Sequence, residues 1–177
     1  TGGVTLPGVE LRIDAAEGEI GIIEVRGDNV FSGYWNMPEK TAEELRADGW
    51  FITGDLGEID ADGYITIVGR SKDLIISGGF NVYPKEVEEV LDALPEVLES
   101  AVIGVPHGDL GEAPVGVLVA DGSRDLDLEA LSQTVAQSLA RFKCPRKLVV
   151  VDALPRNTMG KVQKNLLRET YADLFKG

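Results

Sequence analysis

The stretch "YPKEVEEVLDALPEVLESAVIGV", residues 83–105, holds a helix pattern followed directly by a strand pattern. Between Pro84 and Pro95, which are typical of a helix start and stop, four apolar residues recur at helical spacing: Val87, Val90, Leu91 and Leu94. The run "SAVIGV" that follows is short and continuously apolar, which is typical of a buried strand. This stretch therefore predicts a helix packed on a sheet.

The residues that follow extend this pattern to the end of the chain. The apolar run "APVGVLVA" (113–120) and the segment "KLVVVDAL" (147–154) predict two more strands. The segments "LDLEALSQTVAQSLARF" (126–142) and "KNLLRETYADLF" (164–175) predict two amphipathic helices. The element order after Asp73 is β–α–β–β–α–β–α, which predicts a compact α+β domain of about 100 residues.

The residues before this region form a β-rich pattern. "GIIEVRG" (21–27) and "GYITIVGR" (63–70) predict short strands, and "MPEKTAEELRADG" (37–49) predicts a helix between them. Tyr34 and Trp35 are predicted to anchor this part. We therefore expect a β-rich unit over residues 1–70 and an α+β unit over residues 71–177.

The charge of the chain is strongly asymmetric. The net charge is −13, yet residues 141–177 carry nine Lys or Arg against three Asp or Glu, a balance of +6. This basic segment is either a contribution to solubility or a face that meets an anionic ligand. The acidic total argues against nucleic-acid binding and against binding to acidic membranes. No apolar run approaches the roughly 20 residues needed to span a bilayer.

Cysteine and histidine are scarce. The single Cys144 cannot form an internal disulfide, and the sequence shows no basic and apolar secretory leader, so we expect a cytoplasmic protein. With one cysteine and one histidine, His107, an ordinary zinc site is not expected. We expect Cys144 to pack as a small apolar residue and His107 to lie on a loop after a strand.

Two segments of the first half carry candidate binding residues. In "WFITGDLG" (50–57), Asp55 follows Thr53 and a glycine at the end of an apolar run, where a carboxylate can accept hydrogen bonds from two ribose hydroxyls. Arg70 has a planar guanidinium that suits ribose or phosphate oxygens. Taken alone, the segment that holds Asp55 and the segment that holds Arg70 are each also compatible with an ordinary turn.

The junction and the C-terminal loop carry further candidates. In "GRSKDLIISGG" (69–79), Lys72 and Asp73 lie where exposed residues can change their backbone angles, and the glycines allow close approach of a ligand or a hairpin turn. In "PRNTMGKVQK" (155–164), Lys161 follows a glycine on an adjustable loop. It is either a surface residue before the last helix or a cation that meets a phosphate.

Four motifs together resemble the adenylate-forming superfamily, which includes acyl-CoA synthetases, peptide-synthetase adenylation domains and firefly-type luciferases. They occur in the family's order: "GEIGIIEVRGDNVFSGYW", "GWFITGDLG", "GRSKDLIISGGFNVYPKEVEEVL" and "LPRNTMGKVQK". In the finer detail of these motifs, the sequence most resembles the malonyl-CoA synthetases. The resemblance implies the last, β-rich part of a large N-terminal domain, followed by the small mobile C-terminal α+β domain.

The resemblance implies two half-reactions with ATP, Mg²⁺ and coenzyme A. A carboxylate attacks the α-phosphate of ATP to give an acyl-adenylate and pyrophosphate, and the thiol of coenzyme A then displaces AMP. By motif match, Thr53, Asp55 and Arg70 bind the nucleotide, and Lys161 reaches the carboxylate and α-phosphate oxygens during adenylation. The ligands of Mg²⁺ are expected outside this chain.

Motif match also implies roles for the junction. Lys72 and Asp73 correspond to the hinge about which the small domain rotates between the half-reactions. The segment Ser77, Gly78 and Gly79 corresponds to the passage for the pantetheine arm of coenzyme A. Since the family enzymes are roughly three times as long, we expect a C-terminal fragment that folds but has little or no synthetase activity by itself.

Alternatives remain for the substrate and for the class of function. The residues that select the acid lie outside the chain, so the acid is malonate or another acid such as methylmalonate, an aryl acid or a fatty acid. A different possibility is a non-catalytic docking or regulatory module. Lys161 is accessible to a lysine acetyltransferase, and acetylation would remove its charge.

Overall fold

The structure is a computed structural model that describes residues 3–122 and 126–176. The chain divides into two compact units, Thr1–Lys72 and Asp73–Gly177. Sheets and helices occur together, so the predicted α+β class is confirmed. Within the described residues, no helix is long and apolar enough to cross a membrane.

The first unit is built on a four-stranded antiparallel sheet in the order β1-β2-β3-β4. One helix, α1 (Pro38–Glu44), precedes β3. The strands are β1 (Val9–Asp14), β2 (Gly21–Gly27), β3 (Phe51–Ile59) and β4 (Ile65–Arg70). The prediction of a helix over residues 37–49 is too long, because Leu45 is extended and pairs with Phe51, which turns the chain into β3.

A buried tryptophan and a buried carboxylate organise this sheet. Trp50 is buried, and the guanidinium carbons of Arg12 and Arg26 lie 4.2 and 4.7 Å from the centre of its ring. Glu24 is fully buried and accepts hydrogen bonds from Arg12 Nε and Arg46 Nε, both at 2.8 Å. The prediction that Trp35 anchors the unit is wrong, since its side chain is 90% exposed.

The second unit begins within a 3₁₀ turn, Ser71–Asp73, and its described residues form a five-stranded sheet and three helices. The strand order is β6-β5-β8-β7, and β9 pairs in parallel with β8. The strands are β5 (Ile75–Ser77), β6 (Phe80–Val82), β7 (Val97–His107), β8 (Gly111–Ala120) and β9 (Lys147–Val150). The helices are α2 (Pro84–Asp92), α3 (Leu128–Ser138) and α4 (Lys164–Thr170).

The sheet of the second unit is buried on both faces. Val102 and Leu118 belong to a cluster with residues of α2 and α3, whereas Ile103 and Val117 belong to a cluster with Leu167 of α4 and the residues after it. Because alternate residues of β7 and β8 are both buried, their sequences read as continuous apolar runs. The prediction of buried strands at 100–105 and 113–120 is confirmed.

Two helices of the second unit are shorter in the structure than the sequence predicted. α3 begins after Asp127, whose carboxylate accepts hydrogen bonds from the amides of Glu129 and Ala130, and it ends at Ser138 rather than at residue 142. α4 ends at Thr170 rather than at residue 175. The residues after α4 form turns, and their apolar side chains pack on the second core cluster.

The basic C-terminal segment is largely neutralised inside its own unit. Five of its nine cations form ion pairs within the described residues: Lys143–Glu86, Arg156–Glu99, Lys164–Glu88, Arg168–Asp73 and Lys176–Asp173. Four of the five partners come from earlier parts of the chain. The charge asymmetry of the sequence is therefore mostly cancelled when the unit folds.

Candidate functional site

The first candidate site lies at a bulge in β3. Three residues, Thr53–Asp55, lie opposite the single residue Ile23 of β2. The hydroxyl of Thr53 donates a hydrogen bond to the Ile23 carbonyl at 2.8 Å and accepts one from the Asp55 amide at 3.0 Å. The Thr53 hydroxyl is thus engaged in holding the bulge, which fixes the backbone that carries Asp55.

Asp55 forms an ion pair with Arg70 across two neighbouring strands. The two residues are register partners in β3 and β4, and Asp55 Oδ1 lies 2.7 Å from Arg70 Nε. Arg70 Nη1 also donates to the Thr53 carbonyl at 3.4 Å. The Asp55 side chain is 28% exposed and the Arg70 side chain 51%, so solvent reaches both. This arrangement presents hydrogen-bond acceptors and a guanidinium fork at one place.

Thr53, Asp55, Arg70 and Lys72, four of the predicted site residues, line one cleft of about 780 Å³ in the first unit. The sequence did not point to three other residues that line it, Tyr34, Lys40 and Glu44. The Tyr34 hydroxyl lies 2.5 Å from Glu44 Oε2, and this hydrogen bond raises the pKa of Tyr34. Lys40 Nζ lies 4.6 Å from the centre of the Tyr34 ring. The sequence signal that could have pointed to two of these residues is the i,i+4 spacing of Lys40 and Glu44, which is typical of an ion pair on a helix.

The two predicted hinge residues fall on either side of the boundary between the units. Lys72 is the last residue of the first unit and lines its cleft, and Asp73 is the first residue of the second unit. The Asp73 side chain is 16% exposed and forms an ion pair with Arg168 of α4. Asp73 is thereby attached to the last helix of its own unit.

The glycine pair after Ser77 forms the turn of a hairpin. Gly78 and Gly79 have φ values of +57° and +83° and connect β5 to β6. Positive φ at both central residues is the pattern of a type I′ turn, which glycine adopts without strain. Ser77 is buried and pairs with Gly111 of β8. Of the two alternatives for these glycines, the structure shows the hairpin turn. The role of this segment toward coenzyme A stays a prediction.

Lys161 lies at the end of a tight turn. The Gly160 amide donates to the Asn157 carbonyl at 2.9 Å, and the Asn157 amide donates to the Lys161 carbonyl, also at 2.9 Å. Gly160 has a φ of +79°. Backbone hydrogen bonds close this segment into a turn, and the expected adjustability of the loop stays a prediction. Within the described residues of the second unit, the Lys161 side chain is exposed and has no ion-pair partner.

Other candidates have local roles. His107 ends β7, and its Nδ1 accepts a hydrogen bond from the Asp109 amide at 3.2 Å. Cys144 is half-buried, with its sulfur 3.5 Å from the Ala140 carbonyl oxygen. Among residues 3–122 and 126–176, no three His, Cys, Asp or Glu side chains are grouped so as to hold a metal ion.

Comparison with known proteins identifies a family domain in the second unit of the chain. Residues 86–161 match the AMP-binding enzyme C-terminal domain. The chain is 50% identical over 169 residues to the 3-[(3aS,4S,7aS)-7a-methyl-1,5-dioxo-octahydro-1H-inden-4-yl]propanoyl:CoA ligase of Rhodococcus jostii, a match that covers 96% of this chain and 32% of the relative. It is 43% identical over 152 residues to the long-chain-fatty-acid–CoA ligase FadD13 of Mycobacterium tuberculosis, covering 86% of this chain and 30% of that relative.

A solved structure matches over nearly the whole chain. The ATP-bound crystal structure of MatB from Rhodopseudomonas palustris superposes with a TM-score of 0.91 at 55% identity, covering 98% of this chain and 36% of MatB. The chain belongs to the adenylate-forming superfamily and carries its AMP-binding C-terminal domain. Its homologues in that superfamily are acyl-CoA ligases. The chain spans about a third of the length of the curated relatives it matches.

Proposed function

We propose that this chain is the C-terminal part of an acyl-CoA synthetase that forms an acyl-adenylate from ATP and a carboxylic acid, then transfers the acyl group to coenzyme A. The observation that carries the proposal is the ion pair between Asp55 and Arg70. The backbone of Asp55 is held by the bulge in β3, and both side chains line a cleft that is open to solvent. The membership of the adenylate-forming superfamily supports it, because its homologues are ligases of this kind.

Asp55 is the proposed ribose ligand. Its Oδ1 forms the ion pair with Arg70, which orients the carboxylate. We expect Oδ2 to accept hydrogen bonds from the ribose hydroxyls. Arg70 would supply further N–H groups to the ribose or phosphate oxygens. Thr53 enters the proposed nucleotide site chiefly by holding the bulge, because its hydroxyl already makes two hydrogen bonds.

Lys161 is the proposed catalytic cation of the adenylation step. During attack on the α-phosphate, negative charge grows on the transferred group, and a positioned ammonium stabilises it. An exposed lysine that has no ion-pair partner among the described residues of its own unit is suited to this role. The expelled group is pyrophosphate, and the acyl carboxylate becomes the mixed anhydride with AMP.

The proposed hinge is at Lys72 and Asp73, between a unit of residues 1–70 and a unit of residues 71–177. The chain divides into compact units between Lys72 and Asp73, two residues after the predicted boundary, and this division supports the proposed hinge. In the thioester step, Ser77, Gly78 and Gly79 would line the passage of the pantetheine arm. The turn formed by the two glycines exposes backbone without side chains, which favours the close approach of a ligand.

Malonate is the proposed acid. The support is the sequence similarity to malonyl-CoA synthetases together with the 55% identity to MatB. Relatives named for a fatty acid and for a bicyclic propanoate are 43% and 50% identical. The three identities, 55%, 50% and 43%, lie close together. This is expected if the residues that select the acid lie outside this chain.

The proposed surroundings of the reaction follow from the same family. Mg²⁺ would accompany ATP, with its ligands in the missing N-terminal part, and coenzyme A is the co-substrate. The exposed Lys161 amine is also a proposed substrate of a lysine acetyltransferase, since acetylation would remove the charge that the reaction needs. A cytoplasmic location remains part of the proposal.

The test uses the enzyme with its N-terminal part present. Pyrophosphate release would be followed with ATP, coenzyme A and a panel of malonate, methylmalonate, acetate, octanoate and 4-coumarate. We expect malonate to give the highest kcat/KM and Lys161→Ala to abolish release. Lys176→Ala is the matched control, because Lys176 is also an exposed lysine of this unit. Release led by another acid would overturn the malonate assignment, and no release with any acid would overturn the ligase proposal.

A further inference from the structure

We propose that Asn157 and Arg156 are positioning residues that fix the backbone of Lys161. This inference rests on the proposed function, in which Lys161 acts in adenylation. It adds that Lys161 does not reach its target by flexing of its loop. Hydrogen bonds fix the backbone of this turn, so only the side chain of Lys161 adjusts locally.

Asn157 binds both polar groups of the Lys161 backbone. Its side-chain Oδ1 accepts a hydrogen bond from the Lys161 amide at 2.9 Å, and its own amide donates to the Lys161 carbonyl at 2.9 Å. The same Oδ1 accepts from the Met159 amide at 3.0 Å. One side chain thus closes the turn from the inside, as asparagine does in Asx turns.

Arg156 connects this turn to the sheet. Its Nη1 donates to the Gly160 carbonyl at 2.7 Å, while its Nη2 forms an ion pair with Glu99 of β7. Arg156 also pairs with Val162 in an isolated antiparallel bridge. Gly160 and Val162, the two neighbours of Lys161, are therefore both bound to Arg156, and the turn is attached to the strand β7 through Glu99.

This rigidity has a chemical consequence for a cation that must meet a developing charge. When the backbone is fixed, the ammonium group explores only the rotamers of its own stem. A displacement of about 1 Å at a reacting centre can cost about 100-fold in rate. Loss of the Asn157 acceptor should therefore reduce the step that uses Lys161 and leave the other half-reaction intact.

The kinetic test compares Asn157→Ala, Asn157→Asp and Thr158→Ala in the full-length enzyme. Adenylation is measured by pyrophosphate release, and thioester formation is measured from preformed acyl-adenylate and coenzyme A. We expect Asn157→Ala to lower the adenylation kcat by at least about tenfold, with the KM for ATP and the thioester step unchanged. Asn157→Asp keeps the side-chain acceptor and should recover most of the rate. Thr158→Ala, on the same turn, should resemble the wild type.

A second measurement tests the rigid turn independently of activity. Amide hydrogen exchange is measured by NMR on the 177-residue chain. We expect the Lys161 and Met159 amides to be protected in the wild type and to exchange at least about tenfold faster in Asn157→Ala. The amide of Val117 in β8 should not change and serves as the control.

The outcomes separate the two proposals. Unprotected Lys161 and Met159 amides in the wild type would overturn the rigid turn. An Asn157→Ala enzyme with normal adenylation, or with both half-reactions reduced equally, would overturn the positioning role. If the wild-type enzyme releases no pyrophosphate with any acid, the proposed function fails and the positioning role with it, whereas the exchange measurement still decides whether the turn is rigid.

Discussion

Replacing Glu24 by glutamine should destabilise the first unit far more than replacing Glu10 by glutamine. The two residues form a matched pair, because Arg12–Glu24 and Glu10–Arg26 are both cross-strand glutamate–arginine pairs on β1 and β2. They differ in burial: the Glu24 side chain is 1% exposed and the Glu10 side chain is 60% exposed. Glu24 also pairs with Arg46, so the comparison reports burial together with this second partner.

The magnitude follows from the contacts of Glu24. One carboxylate oxygen accepts from Arg12 and the other from Arg46, so glutamine would keep one acceptor and turn an NH₂ group toward the second guanidinium. Breaking a buried ion pair costs roughly 3–5 kcal/mol. The side chains of Arg12 and Arg46 are 44% and 43% exposed and can turn to water, which reduces the loss. We therefore expect about 2–3 kcal/mol, and a change near zero for Glu10→Gln.

Tryptophan fluorescence isolates the unit concerned. Both tryptophans of the chain, Trp35 and Trp50, lie in the first unit, so excitation at their absorption edge reports its unfolding alone. A Trp35→Phe background leaves the buried Trp50 as the single reporter. In a thermal scan, 2–3 kcal/mol corresponds to a fall in Tm of about 10–20 °C for a unit of this size.

The pH dependence gives a second readout. Burial raises the pKa of Glu24, but hydrogen bonds from Arg46 and Arg12 outweigh it and hold the pKa below its ordinary value of 4.5. The stabilisation is therefore complete above pH 4.5 and is lost as the pH falls through the lowered folded-state value. Glu24→Gln should remove this loss. A Glu24→Gln fall in Tm no larger than that of Glu10→Gln, or an unchanged acid dependence, would refute the reasoning.

Three further predictions concern the site and the two units. Asp55→Asn in the full-length enzyme should raise the KM for ATP by about 10–100-fold, because charge-assisted hydrogen bonds are lost, and an unchanged KM in steady-state kinetics would contradict the ribose assignment. Gly79→Ala should destabilise the second unit by about 1 kcal/mol, since alanine is strained at a φ of +83°; circular dichroism should detect this and tryptophan fluorescence should not. The purified 177-residue chain should form no acyl-CoA above background by a thiol-consumption assay, and measurable product would contradict this expectation.

Local sequence patterns predicted most of the elements. The helix at Pro84–Asp92 and the strands at 100–105 and 113–120 were predictable because a proline-flanked helical stripe and continuous apolar runs are signals carried by neighbouring residues. Helix ends were less predictable. α1 ends early because Leu45 pairs with Phe51, and such a pairing leaves no mark in the helical spacing.

Residue type, spacing and motif were enough to predict the α+β class, the helices and strands from residue 84 onward, and the candidates Asp55, Arg70 and Lys161. The strand β1 and the division of the first strand of the second unit into the hairpin β5–β6 were not predicted. Only the tertiary structure decided what the candidate residues contact. It pairs Asp55 with Arg70, commits the Thr53 hydroxyl to a bulge, and closes the segment that holds Lys161 into a turn. It also pairs four of the nine basic residues of the C-terminal segment with acids from distant parts of the chain. The physical reason is that ion pairs and cross-strand contacts join residues far apart in sequence, so no local pattern records them.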